Sequence, residues 1–435
     1  MLSAHSHTPA RRILIPTETY APEVNGAAKF AERLAAGLAA RGNDVHVACP
    51  SATGKASVST EDGVTVHRLT SHRWPLHPTW TICMPWETKP ELSRLLDSLQ
   101  PDVVHTQAHF VIGRYAFSEA SKRGIPVVAT NHFMPDNVRP YLRAPKSLLD
   151  GGTAVAWWDL RRKFESADFI TVPTQLAADL LTQNGFTSPI RAVSCGIDLE
   201  RFAHLRDDQT AQDDQAVQND RIAQPEQAFG GSPTTSERST AASGTEVAAP
   251  PRVLFVGRLS SEKHAADIVE AVAKTDPALG LEADIVGGGD QEEPLKELAA
   301  ELGVADRIHV LGKVSDKELM DAYQRCTFFC MPSTAELQSI ATLEALASRK
   351  PVVLADAVAL PHLVRDGVNG FLFPPRDIEE LASRFAQICE LSDTDLDTMA
   401  RASLNVVAKH DIEYTLDTFE SIYNKVITEG LEAAA

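Results

Sequence analysis

Residues 12–47 read RILIPTETYAPEVNGAAKFAERLAAGLAARGNDVHV. The run Ile13–Ile15 is a short apolar strand signal, and TYAPEVNG after it carries the Pro, Asn and Gly of a loop. AAKFAERLAAGLAARG then places apolar residues at helical spacing, and DVHVACP opens a second apolar run. Strand, loop, helix and strand within this length make a βαβ unit, which requires a parallel sheet. The same rhythm recurs at PDVVHTQ (101–107), IPVVATNH (125–132) and ADFITVPT (167–174).

The segment 205–250 interrupts it. It is rich in Asp, Gln, Ser, Thr and Ala and nearly lacks aromatics, so it is expected to be a disordered acidic linker insertion. Beyond it the α/β rhythm restarts with RVLFVGRL, EADIVGGG, RIHVLGKV, FFCMPS and PVVLAD as strands, separated by helical stretches. The expected organisation is an N-terminal Rossmann-like domain (1–204), the insertion (205–250), a second such domain (251–410) and a C-terminal helix (411–435) packing back on the first domain. Two doubly wound parallel-sheet domains of this kind take ligands in the cleft at the carboxyl ends of their strands.

Bulk composition narrows the function classes. The chain has 435 residues, more than one typical core, and a formal charge of −18. That charge excludes a general nucleic-acid binder, which needs a basic face. The six cysteines form no CxxC pair and several lie in apolar runs, as in a reduced cytoplasmic protein. No apolar run approaches the ~20 residues of a spanning helix, and the start MLSAHSHTPARR is too polar for a secretory signal. The expected location is cytoplasmic, with a peripheral place at the inner membrane face left open.

Several residues stand where chemistry is done. VGRLSSEKHAADIV (256–269) sets Arg258 and Lys263 between a strand and a helix, where a guanidinium fork and an ammonium suit a diphosphate. Solvated surface charge is the alternative. Gly26, in the loop after the first strand, would let backbone approach a phosphate, or would simply make a turn. AELQSIATLEALAS (335–348) places Glu336 before a helix and Glu344 within it, among small and apolar neighbours. A carboxylate there needs partners. The vicinal hydroxyls of a ribose would serve, as would an ion pair with Lys or Arg.

Arg-x4-Lys, then LGKVSDKEL, then Glu-x7-Glu, in this order, resembles the retaining glycosyltransferases of family 4, which have the GT-B fold. The resemblance extends through TVPTQLAADLL (171–181), VSCGIDLERF (193–202), GVADRIHVLGKV (303–314) and DGVNGFLFPP (366–375), nearly the whole chain. It implies transfer of a hexose from a UDP- or GDP-sugar with retention and without a metal. It further implies that Arg258 and Lys263 hold the diphosphate, Glu336 the donor sugar and Glu344 the ribose. Gln338, Ser339 and Ile340 would start the helix and offer backbone N–H groups, and Gly312, Lys313 and Val314 would border the base. His109 matches the family's functional histidine, with His105 a rival, because Gln107 stands where relatives often have a histidine. His132 and Asn137 are expected on the acceptor side, while His362 replaces a common glutamate. A branch acting on membrane lipids such as diacylglycerol is the nearest in wording; a soluble or polysaccharide acceptor, or a non-catalytic nucleotide-sugar-binding protein, is the alternative.

Two further stretches have competing readings. DTDLD (393–397) has the look of a metal motif but opens a helix, where Asp caps are ordinary, so no metal is expected. AVAWWDLRRKFESAD (154–168) is a helix that either packs by its tryptophans or lies on an anionic membrane.

Overall fold

A computed structural model describes residues 10–23, 25–73, 81–135, 145–203 and 249–434. Asn137 and residues 205–248 of the expected disordered insertion lie outside these residues.

The first sheet contains β1 (Arg12–Pro16), β2 (Asp44–Pro50), β3 (Ser57–Glu61), β4 (Val64–Leu69), β7 (Val103–Thr106), β8 (Val127–Thr130), β9 (Phe169–Val172) and β10 (Ile190–Ala192). A two-stranded ribbon, β5 (His72–Arg73) with β6 (Thr81–Ile82), stands apart. The strand order is β10-β9-β8-β7-β1-β2-β4-β3. Pairing is parallel except for β3, which runs antiparallel to β4. That hairpin departs from an all-parallel reading. Asp62 and Gly63 both have positive φ, the geometry of a tight two-residue hairpin turn.

Helices α1 (Gly26–Ala40), α2 (Pro85–Leu99), α3 (Val111–Ser121), α4 (Lys146–Phe164) and α5 (Gln175–Gln183) cover this sheet. α1 forms because Phe30, Ala31, Leu34, Ala35 and Leu38 make one apolar stripe, and Asn25 caps it by accepting from the Ala28 N–H.

The second sheet is parallel throughout: β11 (Arg252–Val256), β12 (Glu282–Val286), β13 (Ile308–Gly312), β14 (Phe328–Met331), β15 (Val352–Ala355) and β16 (Gly370–Phe373), in the order β13-β12-β11-β14-β15-β16. Its helices are α6 (Ala265–Lys274), α7 (Glu292–Glu301), α8 (Asp316–Arg325), α9 (Ile340–Ala347), α10 (Ile378–Cys389) and α11 (Asp393–Val407). The strands are near-continuous apolar runs because both faces are buried.

Strand order reverses between β1 and β7 in one sheet and between β11 and β14 in the other. Loops there splay apart and leave a crevice at the carboxyl ends. Residues 17–23, 25 and 107–110 therefore face one crevice, and 257–264 and 332–339 the other.

After α11 the chain returns to the first domain as α12 (Ile412–Ala434). Leu416, Phe419, Ile422, Tyr423 and Val426 share a core with Ile13, Phe30 and Leu34. Each such side chain contributes about 1.5–3 kcal/mol on burial. α1 and α12 touch at Gly37, where a Cβ would sit 2.7 Å from Leu416. Arg41 pairs with Glu413, Asp417 and Glu420 beside this contact.

Candidate functional site

The loop after β11 is shaped by glycines. A Cβ on Gly287 would lie 1.7 Å from the Gly257 carbonyl, and one on Gly289 2.0 Å from that of Leu259. The 285–291 stretch thus serves as a close backbone contact that fixes the loop carrying Arg258. Arg258 is half-exposed and donates to Glu262 Oε1 at 2.9 Å. Ser260 donates to the same oxygen at 2.7 Å. Lys263 closes a short helical turn, Ser261–Lys263, and its ammonium pairs with the buried Glu336 carboxylate. Two of the sequence-derived residues thus meet directly, from the two strands that flank the crevice.

α9 begins at Ile340, with Ser339 as its N-cap accepting from the Thr342 N–H at 3.3 Å. Gln338 precedes the helix rather than starting it, which corrects the expectation. Its side chain is also committed elsewhere: Oε1 accepts from the Cys195 N–H at 2.7 Å and Nε2 donates to Ser194 Oγ at 2.9 Å. Thr174 donates to the Leu337 carbonyl at 3.1 Å, so three hydrogen bonds tie the donor-side loop to the first domain.

Glu344 lies one turn into α9 and accepts from the Tyr323 hydroxyl at 3.0 Å. Burial raises its pKa, opposed by the charges of Arg33 and Arg201 and by the Tyr323 bond. Its partners are therefore a phenol and distant cations rather than a close ion pair. Gly312, with φ of +63°, ends β13, and exposed Lys313 and half-buried Val314 follow. They rim the same carboxyl edge two strands from β11.

In the first domain, Gly26 is the first residue of α1 and has open space where a Cβ would stand. Its φ is not positive, so no turn conformation demands glycine there. His105 is fully buried, with Nδ1 2.6 Å from the Tyr423 hydroxyl and Nε2 2.6 Å from Thr130 Oγ1. Both nitrogens are used, and burial depresses its pKa to about 3. The rival histidine is a packed core residue. His109 is 5% exposed among Phe110, Phe133 and Phe164, with Nδ1 buried and unpartnered. Burial brings its pKa to about 4, so the ring is neutral. His132 bonds Gln107 Oε1 at 3.0 Å and packs at a tilt against Phe30.

Two residues escaped the sequence reading, Glu18 and Arg33, and a third, Gln107, was named there only as a departure from the family's histidine. Gln107 is 2% exposed and its Nε2 has no partner, because His132 holds the amide by its oxygen. Glu18, in the loop after β1, accepts from the Gly113 N–H at the start of α3. Burial lifts its pKa to about 7 against that helix terminus. Arg33, on α1, has Nε and Nη2 buried without partners. The Gln107 position was visible at a strand end; Glu18 and Arg33 had no motif to mark them.

Asp393, Asp395 and Asp397 open α11, where Ser392 caps the helix and Asp397 pairs with Arg349 and Arg401. Among the described residues no group of three or more His, Cys, Asp or Glu side chains is placed to hold a metal ion. Five of the cysteines are buried thiols and Cys389 is half-buried. Trp157 is buried while Trp158 is half-exposed under Arg162, so the two readings of α4 each describe one tryptophan.

The family model described as Glycosyltransferase Family 4 matches residues 24–201, and that of Glycosyl transferases group 1 matches residues 238–403. The chain belongs to the family 4-like glycosyltransferases of the GT-B fold. This glycosyltransferase is 27% identical over 335 residues to a D-inositol 3-phosphate glycosyltransferase of Mycolicibacterium smegmatis, covering 75% of this chain and 68% of that one. It is 26% identical over 374 residues to a GDP-mannose-dependent alpha-mannosyltransferase of Corynebacterium glutamicum, covering 85% and 78%. Sucrose-phosphate synthase of Thermosynechococcus elongatus superposes with a TM-score of 0.74 at 18% identity, over 98% of this chain and all of that structure, which shows the shared fold.

Proposed function

We propose that this glycosyltransferase moves a hexose, with retention and without a metal, from a nucleotide diphosphate sugar to a lipid-borne hydroxyl at the cytoplasmic membrane face. The observation that carries the donor half is the Lys263–Glu336 pair at the reversal point of the second sheet, with Arg258 beside it and Glu344 one turn into α9. Negative charge develops on the departing diphosphate, and Arg258 and Lys263 are the fixed cations to meet it. Glu336 releases Lys263 to the phosphate and takes a sugar hydroxyl, while Glu344 accepts from the ribose. Gly26 and the N–H groups of Ser339 and Ile340 lie against the sugar and phosphate, and Gly312 and Val314 border the base. His109, neutral and with a free nitrogen, hydrogen-bonds the sugar on the side of the first domain.

The lipid acceptor rests on α4. Leu148, Val155 and Trp158 are exposed along it, followed by Arg161, Arg162 and Lys163. Phe110, also exposed, stacks against His109. An apolar stripe ending in cations suits an anionic bilayer, and His132 and Asn137 are proposed to serve the acceptor. A soluble phosphorylated polyol is the second reading, favoured by the name of the Mycolicibacterium relative.

The test is a mass-spectrometric screen with UDP-glucose, UDP-galactose, UDP-N-acetylglucosamine and GDP-mannose, in EDTA, with and without anionic vesicles containing diacylglycerol. Nucleotide diphosphate plus a hexosylated lipid only with vesicles is the expected result. Product formed equally on a soluble polyol phosphate would move the acceptor to the second reading, and binding of no donor would remove both.

A further inference from the structure

One recess of the molecule lies away from Lys263. It is a cavity of about 350 Å³ where the two domains and the returning chain meet. Residues 173–175 after β9, with the end of β10 and residues 193–194 that follow it, supply one wall, Gln338, Ala359, His362 and Leu363 another, and Lys409, His410, Tyr414 and Thr418 the third. Arg191, Lys409, His362 and His410 line it, and no described lining residue is an Asp or Glu. In a chain of formal charge −18, an acid-free cavity holding an arginine and a lysine is a local reversal of sign.

The hydrogen bonds in the wall define which proton His410 carries. Gln338 Oε1 is occupied by the Cys195 N–H, so its amide nitrogen must face Ser194 Oγ and His410 Nδ1, at 2.9 and 3.5 Å. Ser194 Oγ, receiving that N–H, is left to donate to His410 Nδ1 at 2.9 Å. Nδ1 is therefore the acceptor and the ring proton is on Nε2. That Nε2 is buried and has no partner. An orphaned buried donor is costly unless a ligand supplies the acceptor. Every charged or orphaned group identified in this wall is thus a donor or a cation.

We propose that this hinge cavity is a second binding site, distinct from the donor site, for a compact phosphate-bearing anion held by Arg191, Lys409 and the His410 Nε2–H. Its occupant would touch both domains and the chain that joins them. Through Gln338 it would also brace the loop that carries Glu336, two residues away. The volume accommodates a phosphorylated small molecule as readily as free phosphate.

The full chain is titrated with inorganic phosphate and, separately, with a hexose 6-phosphate, by calorimetry and thermal shift at matched ionic strength in saturating UDP or GDP. Saturable binding below about 10 mM is expected, with the stronger of the two probes indicating free anion or phosphate ester. Arg191→Ala/Lys409→Ala, at exposed positions, should weaken it about tenfold or more, leave UDP and GDP affinity unchanged and unfold at the wild-type temperature without ligand. His410→Phe should weaken it less. Absence of saturable binding by either probe, or equal binding by the double variant, would overturn the site. Failure of UDP and GDP to bind would count against the proposed function alone, because the probe titrations stand without them.

Discussion

Lys263 and Glu336 form an ion pair across 73 residues of sequence, joining the loop after β11 to the loop after β14. Both side chains are mostly buried, so neither is free to be matched by water. The pair holds the second domain's crevice in a defined shape while keeping a cation where an anionic ligand is to arrive. Removing one partner leaves the other as an uncompensated charge.

Lys263→Met is expected to cost about 3 kcal/mol of stability and to abolish turnover. Glu336→Gln keeps a hydrogen-bond acceptor for Lys263. It should stay closer to the wild-type melting temperature, bind the nucleotide diphosphate normally and slow transfer. Denaturant melts and calorimetry with UDP and GDP separate the two. Equal losses of nucleotide affinity in both variants would contradict the division of roles.

The charge of Arg33, on α1 of the first domain, favours the anionic form of Glu344 on α9 of the second, without an ion pair between them. Glu344→Ala is expected to weaken UDP or GDP binding about tenfold, by losing a charged acceptor. Tyr323→Phe, which removes only the phenol donor, should weaken it less. Arg33→Met deletes a buried guanidinium edge with no partner, so its melting temperature should hold or rise while diphosphate affinity falls. Unaltered UDP and GDP affinities in Arg33→Met would reduce that arginine to a packing residue.

Glu18 gives the stability a pH signature. Its carboxyl titrates at about 7 in the folded chain against an ordinary 4.5, because burial disfavours the anion more than the Gly113 and Ile112 N–H groups favour it. The folded state therefore holds this proton more tightly than the unfolded one. The stabilisation is complete below pH ~4.5, declines as pH rises and is gone above ~7. Glu18→Gln should remove that decline, so the variant gains on the wild type across this window. Melting temperatures taken at half-unit intervals from pH 4 to 8 measure the difference; parallel curves would mean that Glu18 titrates alike in the folded and unfolded chain.

Much of this architecture was legible because parallel βαβ units write themselves as apolar runs with helical spacing between them. The strand-end positions of Arg258, Lys263 and Glu336 followed from that rhythm. What escaped is non-local. The β3–β4 hairpin carried its Asp62–Gly63 signal, but its exposed, polar edge strand lacks an apolar run. Gln338 looked like a helix start, yet its side chain bridges to Ser194 and Cys195, 144 and 143 residues away. Glu18 and Arg33 are ordinary residues in a loop and on a helix, and only the packing of α3 and the facing domain makes them unusual.

The histidines of VVHTQAHF show the same limit and permit a direct test. His105 and His109 are four residues apart, and spacing alone left both as candidates. His105 is clamped between Tyr423 of α12 and Thr130 of β8, with no nitrogen left for a ligand. Tyr423→Phe leaves a buried imidazole nitrogen without its partner, a loss of about 1–3 kcal/mol. It should loosen α12 from the first domain and leave the transfer rate of the folded enzyme unchanged. His105→Ala should destabilise further, adding a cavity to the lost bonds. His109→Ala also opens space among Phe110, Phe133 and Phe164, but it breaks no hydrogen bond of Nδ1, which has none. Its melting temperature should fall less than that of His105→Ala, and its turnover should fall by a factor of about ten or more. Assaying each variant well below its melting temperature separates the effects, and a His109→Ala enzyme with full turnover would place the functional group elsewhere, with Gln107 next in line.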